Sequence, residues 1–529
     1  MNRFLENVGV YATYKEVFGT IYKEERLIDL LSEAPLGGVI NILSQLNSIP
    51  VNNKQIRADF NNFLIQSSNN LKPINNRFVL FSKQGLLSVW KWVLTYCDES
   101  KIDQEIHVST GCNFVLYINL IISDYLHNKK TTKDTLKYEM FTNAVFNTHK
   151  DVLSSLVRAS VMFDDISKQK ELFYEKEYLD LNYFFKQKYG YSIKEYLSVI
   201  FCIFAGYTKD QFEFSNNWIR NLDYFTVLKK PEIAHNVLNE LSISLNDAKE
   251  WSKKTLKEPW EFTKFRQKPL LKLNDGRFLP ISVDLLHEQI FNELYFKIRH
   301  AFPGKSTQVI SFFGRCFEKY MEVITEFAVK ESTLDYKFIP EFSYGLKNSK
   351  RSPDIIIKLG NKLLAIEAKV HRLKMDSIIG NSNDAIDTDI HRMAISPINQ
   401  LSKRVKELID INHPVIDGAD EIYLMSVTFG DFPTLPPFEK EIKEKVEKNF
   451  SIPVKGHYHL NIEEYEILCE LLSRKNASPI FKYLDNYLKV DLPFKNFVLK
   501  SHLHPKRLKY IKEKFDQQTY ELTHFLFEE

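Results

Sequence analysis

The stretch SPDIIIKLGNKLLAIEAKVHR, Ser352 to Arg372, limits the possible folds more than any other part of the chain. Two apolar runs, DIIIKL and LLAIEA, flank the tight turn Leu359-Gly360-Asn361-Lys362. A connection that short makes them antiparallel neighbours. Their apolar character is continuous rather than alternating, so both faces must be covered, as in a sheet sandwiched by helices. Yet Asp354, Glu367 and Lys369 sit inside these strands. Burying ionised groups is costly unless they pair or bind a metal. Glu367 and Lys369 are two apart and share a strand face, and Asp354 can lie beside Glu367 across the pair. Residues 346–375 hold eight Lys or Arg and two acids, Asp354 and Glu367 themselves. Two carboxylates and an ammonium therefore converge at one sheet end in basic surroundings, a pattern suited to phosphodiester cleavage. Carboxylate oxygens are the preferred ligands of Mg²⁺, which activates water and neutralises charge on a phosphate. A neighbouring lysine can orient the water or stabilise the transition state.

The flanking sequence supplies elements in a consistent order. VISFFGRCFEKYMEVITEFAVK reads as one helix with an apolar stripe of Phe313, Phe317, Tyr320, Ile324 and Phe327, leaving Glu318, Glu322 and Glu326 on another face. A strand near DYKFIPEFSYG follows, then the opening pair. SPINQLSKRVKELI reads as a helix with Ser396 as N-cap and Pro397 at its first position. EIYLMSVTF is a buried strand, and GHYHLNIEEYEILCELL is a strand running into a helix. The result is a mixed α/β core from about 305 to 475.

PD followed by EAK on adjacent strands resembles the PD-(D/E)xK nuclease superfamily, which has the restriction-endonuclease-like fold. The resemblance covers residues 305–475, about a third of the chain. It implies that Asp354 and Glu367 hold a divalent metal together with the backbone carbonyl of Ala368, and that Lys369 is the catalytic lysine. It also implies an acid from the preceding helix, matched by Glu318, and a polar residue from the helix after the third strand, matched by Gln400. The family frequently carries Gln-x-x-x-Tyr there, but no Tyr follows Gln400 through Val405, which argues against the exonuclease branch.

The remaining sequence carries little chemistry. Up to about residue 260 the periodicity is mostly helical, as in RLIDLLSEAPLGGVINILSQL, GLLSVWKWVLTYC and EIAHNVLNELSISLNDAKEW. PLLKLNDGRFLPI predicts a hairpin turning at Asn274-Asp275-Gly276, with the amphipathic helix LLHEQIFNELYFKIRHAF behind it. PGKST is not a P-loop, because Arg299 stands where the first glycine belongs and a helix precedes it. His371 is read as a strand-end polar residue. His457 and His459 have H-x-H spacing without a visible third ligand for zinc. The run KNFVLKSHLHPKRLKYIKEKF has seven Lys or Arg against one acid and reads as a solvated face, with nucleic-acid backbone binding as its alternative.

A formal charge of +3 neither demands nor excludes a nucleic-acid partner. The N-terminal sequence lacks the apolar core of a secretory signal. The longest apolar run, Tyr196 to Tyr207, is shorter than the roughly 18 to 20 residues a membrane span needs. Five scattered cysteines without C-x-x-C point to a reducing compartment, so a cytoplasmic location without a membrane partner is expected.

The expected architecture is multidomain. A helical recognition or partner region (1–260) precedes a β-hairpin with connecting helix (261–304), the nuclease core (305–475) and a helical basic tail (476–529). The expected function is Mg²⁺-dependent cleavage of nucleic acid, with Mn²⁺ able to substitute and DNA favoured over RNA. A prokaryotic anti-phage or restriction effector is the expected setting, by analogy. The region 1–260 is expected to hold substrate, dock a protein partner or self-associate. The alternatives are a non-catalytic nucleic-acid-binding or scaffold protein with the same fold, and an RNA-cleaving toxin.

Overall fold

The computed structural model describes residues 10–526 except 51–52, 68–72, 127–132, 147–150, 209–212, 216, 226–227, 303–306, 381, 434–435 and 491. Mixed helix and sheet divide between two compact units. One comprises Met1–Thr132, Glu195–Glu293 and Thr523–Glu529, and the other Lys133–Lys194 and Leu294–Leu522. This partition differs from a boundary near residue 260, because the segment 133–194 packs with the later part of the chain.

The first unit is mainly helical. Ala34-Pro35 separates the helices Glu24–Glu33 and Leu36–Leu46, as proline's missing N–H requires. The helix Lys83–Tyr96 starts on Ser82, whose side chain accepts from Gly85 N, and buries Trp90 completely. The hairpin forms as expected, with Leu270–Lys272 antiparallel to Phe278–Pro280 and Gly276 at φ +88°. Two expectations need correction. EIAHNVLNELSISLNDAKEW is not continuous helix, since Ser242–Ser244 is a strand parallel to Leu270–Lys272. LLHEQIFNELYFKIRHAF is likewise two helices, Val283–Ile290 and Asn292–Ala301. Tyr196 to Tyr207 lies in the helix Ile193–Tyr207. Among the described residues, no helix is long and apolar enough to cross a membrane.

The second unit holds the site. Helix α1 (Thr307–Glu331) buries Phe313, Phe317, Tyr320 and Ile324, as its period dictates. Pro303 to Ser306 lies outside the described residues. After α1 come β1 (Lys337–Pro340), the short hairpin β2 (Ser343–Tyr344) and β3 (Lys350–Arg351), then β4 (Ile355–Leu359) and β5 (Lys362–Lys369). Helix α2 (Ser396–Asp410), β6 (Glu421–Thr428), β7 (Gly456–Asn461) and α3 (Ile462–Ser473) follow.

A five-stranded sheet runs β7-β6-β5-β4-β1. The pairs β1/β4 and β4/β5 are antiparallel, whereas β5/β6 and β6/β7 are parallel. Gly360 turns β4 into β5 at φ +56°. Leu363, Leu364, Ala365 and Ile366 are all fully buried in succession, so both faces of β5 are covered.

Ser396 is not an N-cap. The helical path begins at Asn383, capped by Ser382, and passes through a π turn at His391–Ile395 directly into α2. The π turn stands immediately ahead of Pro397, which has no N–H to donate and whose ring would crowd a regular preceding turn.

Residues 133–194 are built into this unit. Arg158, buried in the helix Val152–Ser160, makes a two-pronged pair with Glu466 of α3 at 2.8 and 2.9 Å, and Tyr320 of α1 donates to the same carboxylate at 2.7 Å. Phe163 meets Phe313 edge-on. The stretch 476–522 also packs here rather than standing apart: Phe481 and Leu484 are buried, and Arg507 forks onto Asp151 at 2.7 and 2.8 Å. The basic run is two helices, Phe494–Lys500 and Lys509–Leu526, with Arg507 and Lys509 already tied to acids.

Candidate active site

Register brings the three strand residues together. Ile366 lies opposite Ile355, so the next pair outward is Glu367 beside Asp354. The Asp354 carboxylate accepts the N–H of Ala368 at 2.7 Å, and Lys369 Nζ donates to Glu367 Oε1 at 2.7 Å. Lys369 also donates to Gln400 Oε1 at 3.3 Å, placing α2 over the same sheet end. Asp354 and Glu367 are 6% and 2% exposed, too buried to be an ordinary surface ion pair.

Electrostatics bring in α1. Burial pushes the Asp354 carboxyl well above the usual carboxylate range, and the negative charges of Glu367 and Glu318 push it further. The Ala368 N–H and the Lys369 ammonium oppose this without cancelling it. Glu318 is also shifted upward, first by burial; Arg315 pulls it back, while Glu341 and Glu367 raise it. Hydrogen bonds thus join Asp354, Glu367, Ala368, Lys369 and Gln400, drawn from the β4/β5 pair and α2, whereas Glu318 of α1 acts on them through its charge alone.

Each carboxylate already has a local partner. Arg315 holds Glu318 at 2.7 Å, and Glu341 lies 3.6 Å from the same guanidinium while taking Arg351 at 2.6 Å. Glu367 is held on its second oxygen by Arg404 at 2.6 Å. Among the described residues, no group of three or more His, Cys, Asp and Glu is gathered as metal ligands.

Arg404 is the functional candidate that sequence reasoning passed over. It lies four residues after Gln400, one helical turn along the same face, which was the available signal. It stands where the Gln-x-x-x-Tyr pattern has its tyrosine. Besides Glu367 it reaches the Ser352 carbonyl at 3.3 Å.

The histidines divide. His371 lies just past β5; burial and the charges of Arg392 and Lys369 lower its pKa to about 4. His457 and His459 occur on β7, with burial lowering them to about 4 and about 3. His459 packs edge-on against Phe432 at 4.6 Å, and neither ring nitrogen has a hydrogen-bond partner. No third zinc ligand joins them among the described residues. All five cysteines are free.

Compared with family models, with curated protein sequences and with solved structures, the chain matches none.

Proposed function

We propose that the chain is a Mg²⁺-dependent phosphodiesterase of the PD-(D/E)xK kind that cleaves nucleic acid, with DNA the favoured substrate. The observation that carries this reading is the hydrogen-bonded cluster of Asp354, Glu367, Lys369 and Gln400, drawn from the β4/β5 pair and α2 onto one sheet end. The donor chemistry suits a hard cation: Asp354, Glu367 and Glu318 offer carboxylate oxygens, and the repulsion among them is what a divalent charge relieves. Asp354 and Glu367, with the Ala368 carbonyl, would hold Mg²⁺, or Mn²⁺ in its place, while Glu318, paired with Arg315, is not gathered with them into a ligand group among the described residues. The bound ion supplies an activated water and neutralises charge on the phosphate.

The chain's own residues do the rest. Lys369, fixed between Glu367 and Gln400, presents an ammonium to the attacked phosphate and to the water. Arg404 locks the Glu367 carboxylate in one orientation. An anti-phage or restriction setting extends the reading by analogy with the superfamily.

A non-catalytic nucleic-acid-binding role is the second reading. The observation favouring it is that Glu367 is satisfied by two cations, as a purely structural carboxylate would be. Incubating the purified protein with plasmid, linear duplex, single strands and RNA, each with Mg²⁺, Mn²⁺ or EDTA, separates the two. Metal-dependent cleavage of any substrate supports the first reading; binding without cleavage under every condition supports the second.

A further inference from the structure

We propose that the β2/β3 hairpin is a wedge whose tip, Leu346, enters the base stack of duplex nucleic acid beside the cleavage site. The inference rests on the nuclease reading and adds a substrate preference to it. Leu346 is 86% exposed, the most exposed large apolar residue among those described. Isolated exposed leucines are ordinary, but this one stands at the tip of a tight turn beside the candidate site. Gly345, Lys347 and Asn348 all have positive φ, at 77°, 53° and 55°, a region that residues with a Cβ rarely adopt. Lys347 and Asn348 thus form the left-handed pair of a type I′ turn, with Lys347 at a position that glycine, Asn or Asp usually fills.

The base of the hairpin is rigid and is tied to the catalytic frame. Phe342 and Ser352 exchange hydrogen bonds at 2.9 Å, and Phe342 stacks on His413 at 4.7 Å. Tyr344 donates to Glu407 of α2 at 2.8 Å, and Lys350 pairs with the same carboxylate at 3.0 Å. Arg351 pairs with Glu341, which also faces Arg315 beside Glu318. The Ser352 carbonyl receives Arg404, the arginine that holds Glu367. Among the described residues the tip itself is held only by its own turn hydrogen bonds, Asn348 N–H to Gly345 O at 3.1 Å and Ser349 N–H to Leu346 O at 3.2 Å.

Charge and position select the occupant. Lys347 adjoins Leu346, forms no ion pair among the described residues, and Lys350 and Arg351 stand behind it. With Lys350 and Arg351 already paired to Glu407 and Glu341, Lys347 is the cation left to meet a phosphate, and an apolar tip beside it matches a polyanion with a stacked apolar interior. Leu346 is eight residues before Asp354, and extended chain covers at most about 28 Å in that span. That is at most about eight base steps, so the wedge falls within one turn of duplex from the carboxylates.

The test uses the full-length protein in EDTA and a duplex carrying 2-aminopurine at successive positions, whose fluorescence rises on unstacking. Wild type should raise the signal at positions clustered near the cleavage point. Leu346→Ala should lose about fivefold or more of that rise, whereas Leu346→Phe keeps it. With Mg²⁺, Leu346→Ala should lose far more cleavage on duplex than on single strands. An unchanged fluorescence rise in Leu346→Ala, or wild-type cleavage of duplex with no rise at all, overturns the wedge and leaves the nuclease reading standing. If wild type neither binds nor cuts any nucleic acid, the nuclease reading falls and takes the wedge with it. A change in sedimentation with Leu346→Ala, without a change in fluorescence, makes the tip a protein contact and overturns the proposal.

Discussion

Arg404 and Lys369 grip the same carboxylate from different elements: Arg404 takes one oxygen of Glu367 at 2.6 Å and Lys369 the other at 2.7 Å. Glu367 is nearly inaccessible to water, and these two cations are its ion-pair partners. Without a bound metal, removing one of them leaves a partly compensated charge in low dielectric. Arg404→Ala should therefore lower stability in EDTA by roughly 1 to 3 kcal/mol. Excess Mg²⁺ should restore most of it, because the ion replaces the missing charge. Thermal unfolding with and without metal reads this directly, and an equal deficit in both would show that Arg404 acts only through packing.

Asp354→Ala and Glu367→Ala should each abolish cleavage while the far-ultraviolet dichroism stays that of wild type. Lys369→Ala should cost a few orders of magnitude in turnover and leave metal binding largely intact. Lys369→Arg should not rescue it, since the planar guanidinium is larger and differently aimed. Wild-type rates in either carboxylate variant would remove the site from consideration.

The upward shift of Asp354 carries a pH signature. Its folded pKa lies above its unfolded one, so the folded state binds the extra proton between them. The stability this contributes is fully present below the ordinary Asp value and is lost as pH rises through the raised one. Asp354→Asn should flatten that slope in EDTA. Denaturant melts across the acidic to neutral range that show the same slope in both proteins would contradict the assignment.

His459 has the opposite sign. Burial lowers it to about 3, so the unfolded state takes the proton first as pH falls. The stability is fully present above the ordinary imidazole value of about 6.5 and is lost on acidification towards the folded value, by up to about 1.4 kcal/mol per pH unit. His459→Phe should remove this part of the acid sensitivity. Identical acid-unfolding curves would place the loss elsewhere.

Arg158 tests whether residues 133–194 belong to the catalytic unit. Its pair with Glu466 is buried and two-pronged, so Arg158→Met strands a carboxylate at a cost of about 3 to 5 kcal/mol. A fragment from Lys268 onward removes Arg158 and Phe163 together and should not fold, contrary to the division near residue 260. A soluble Lys268 fragment with native dichroism would restore that division.

The sequence by itself determined the strand pair, its tight turn, the helix stripe ahead of it and the placing of Asp354 beside Glu367. These follow from periods of two and 3.6 residues and from short connections, all local matters. Gln400 was also legible, through the resemblance. The partners of the buried charges were not. Arg315 on Glu318 is an i,i+3 pair within α1, whereas Arg404 on Glu367 and Arg158 on Glu466 are side-chain pairings across elements distant in sequence, and no local pattern names them. The same holds for Ser396, a good N-cap by type that tertiary packing placed inside a continuous helix with a π turn. Local spacing says which groups share a strand face. Only the packed chain decides which cations neutralise them, because each buried charge takes whatever partner the surrounding elements bring within reach.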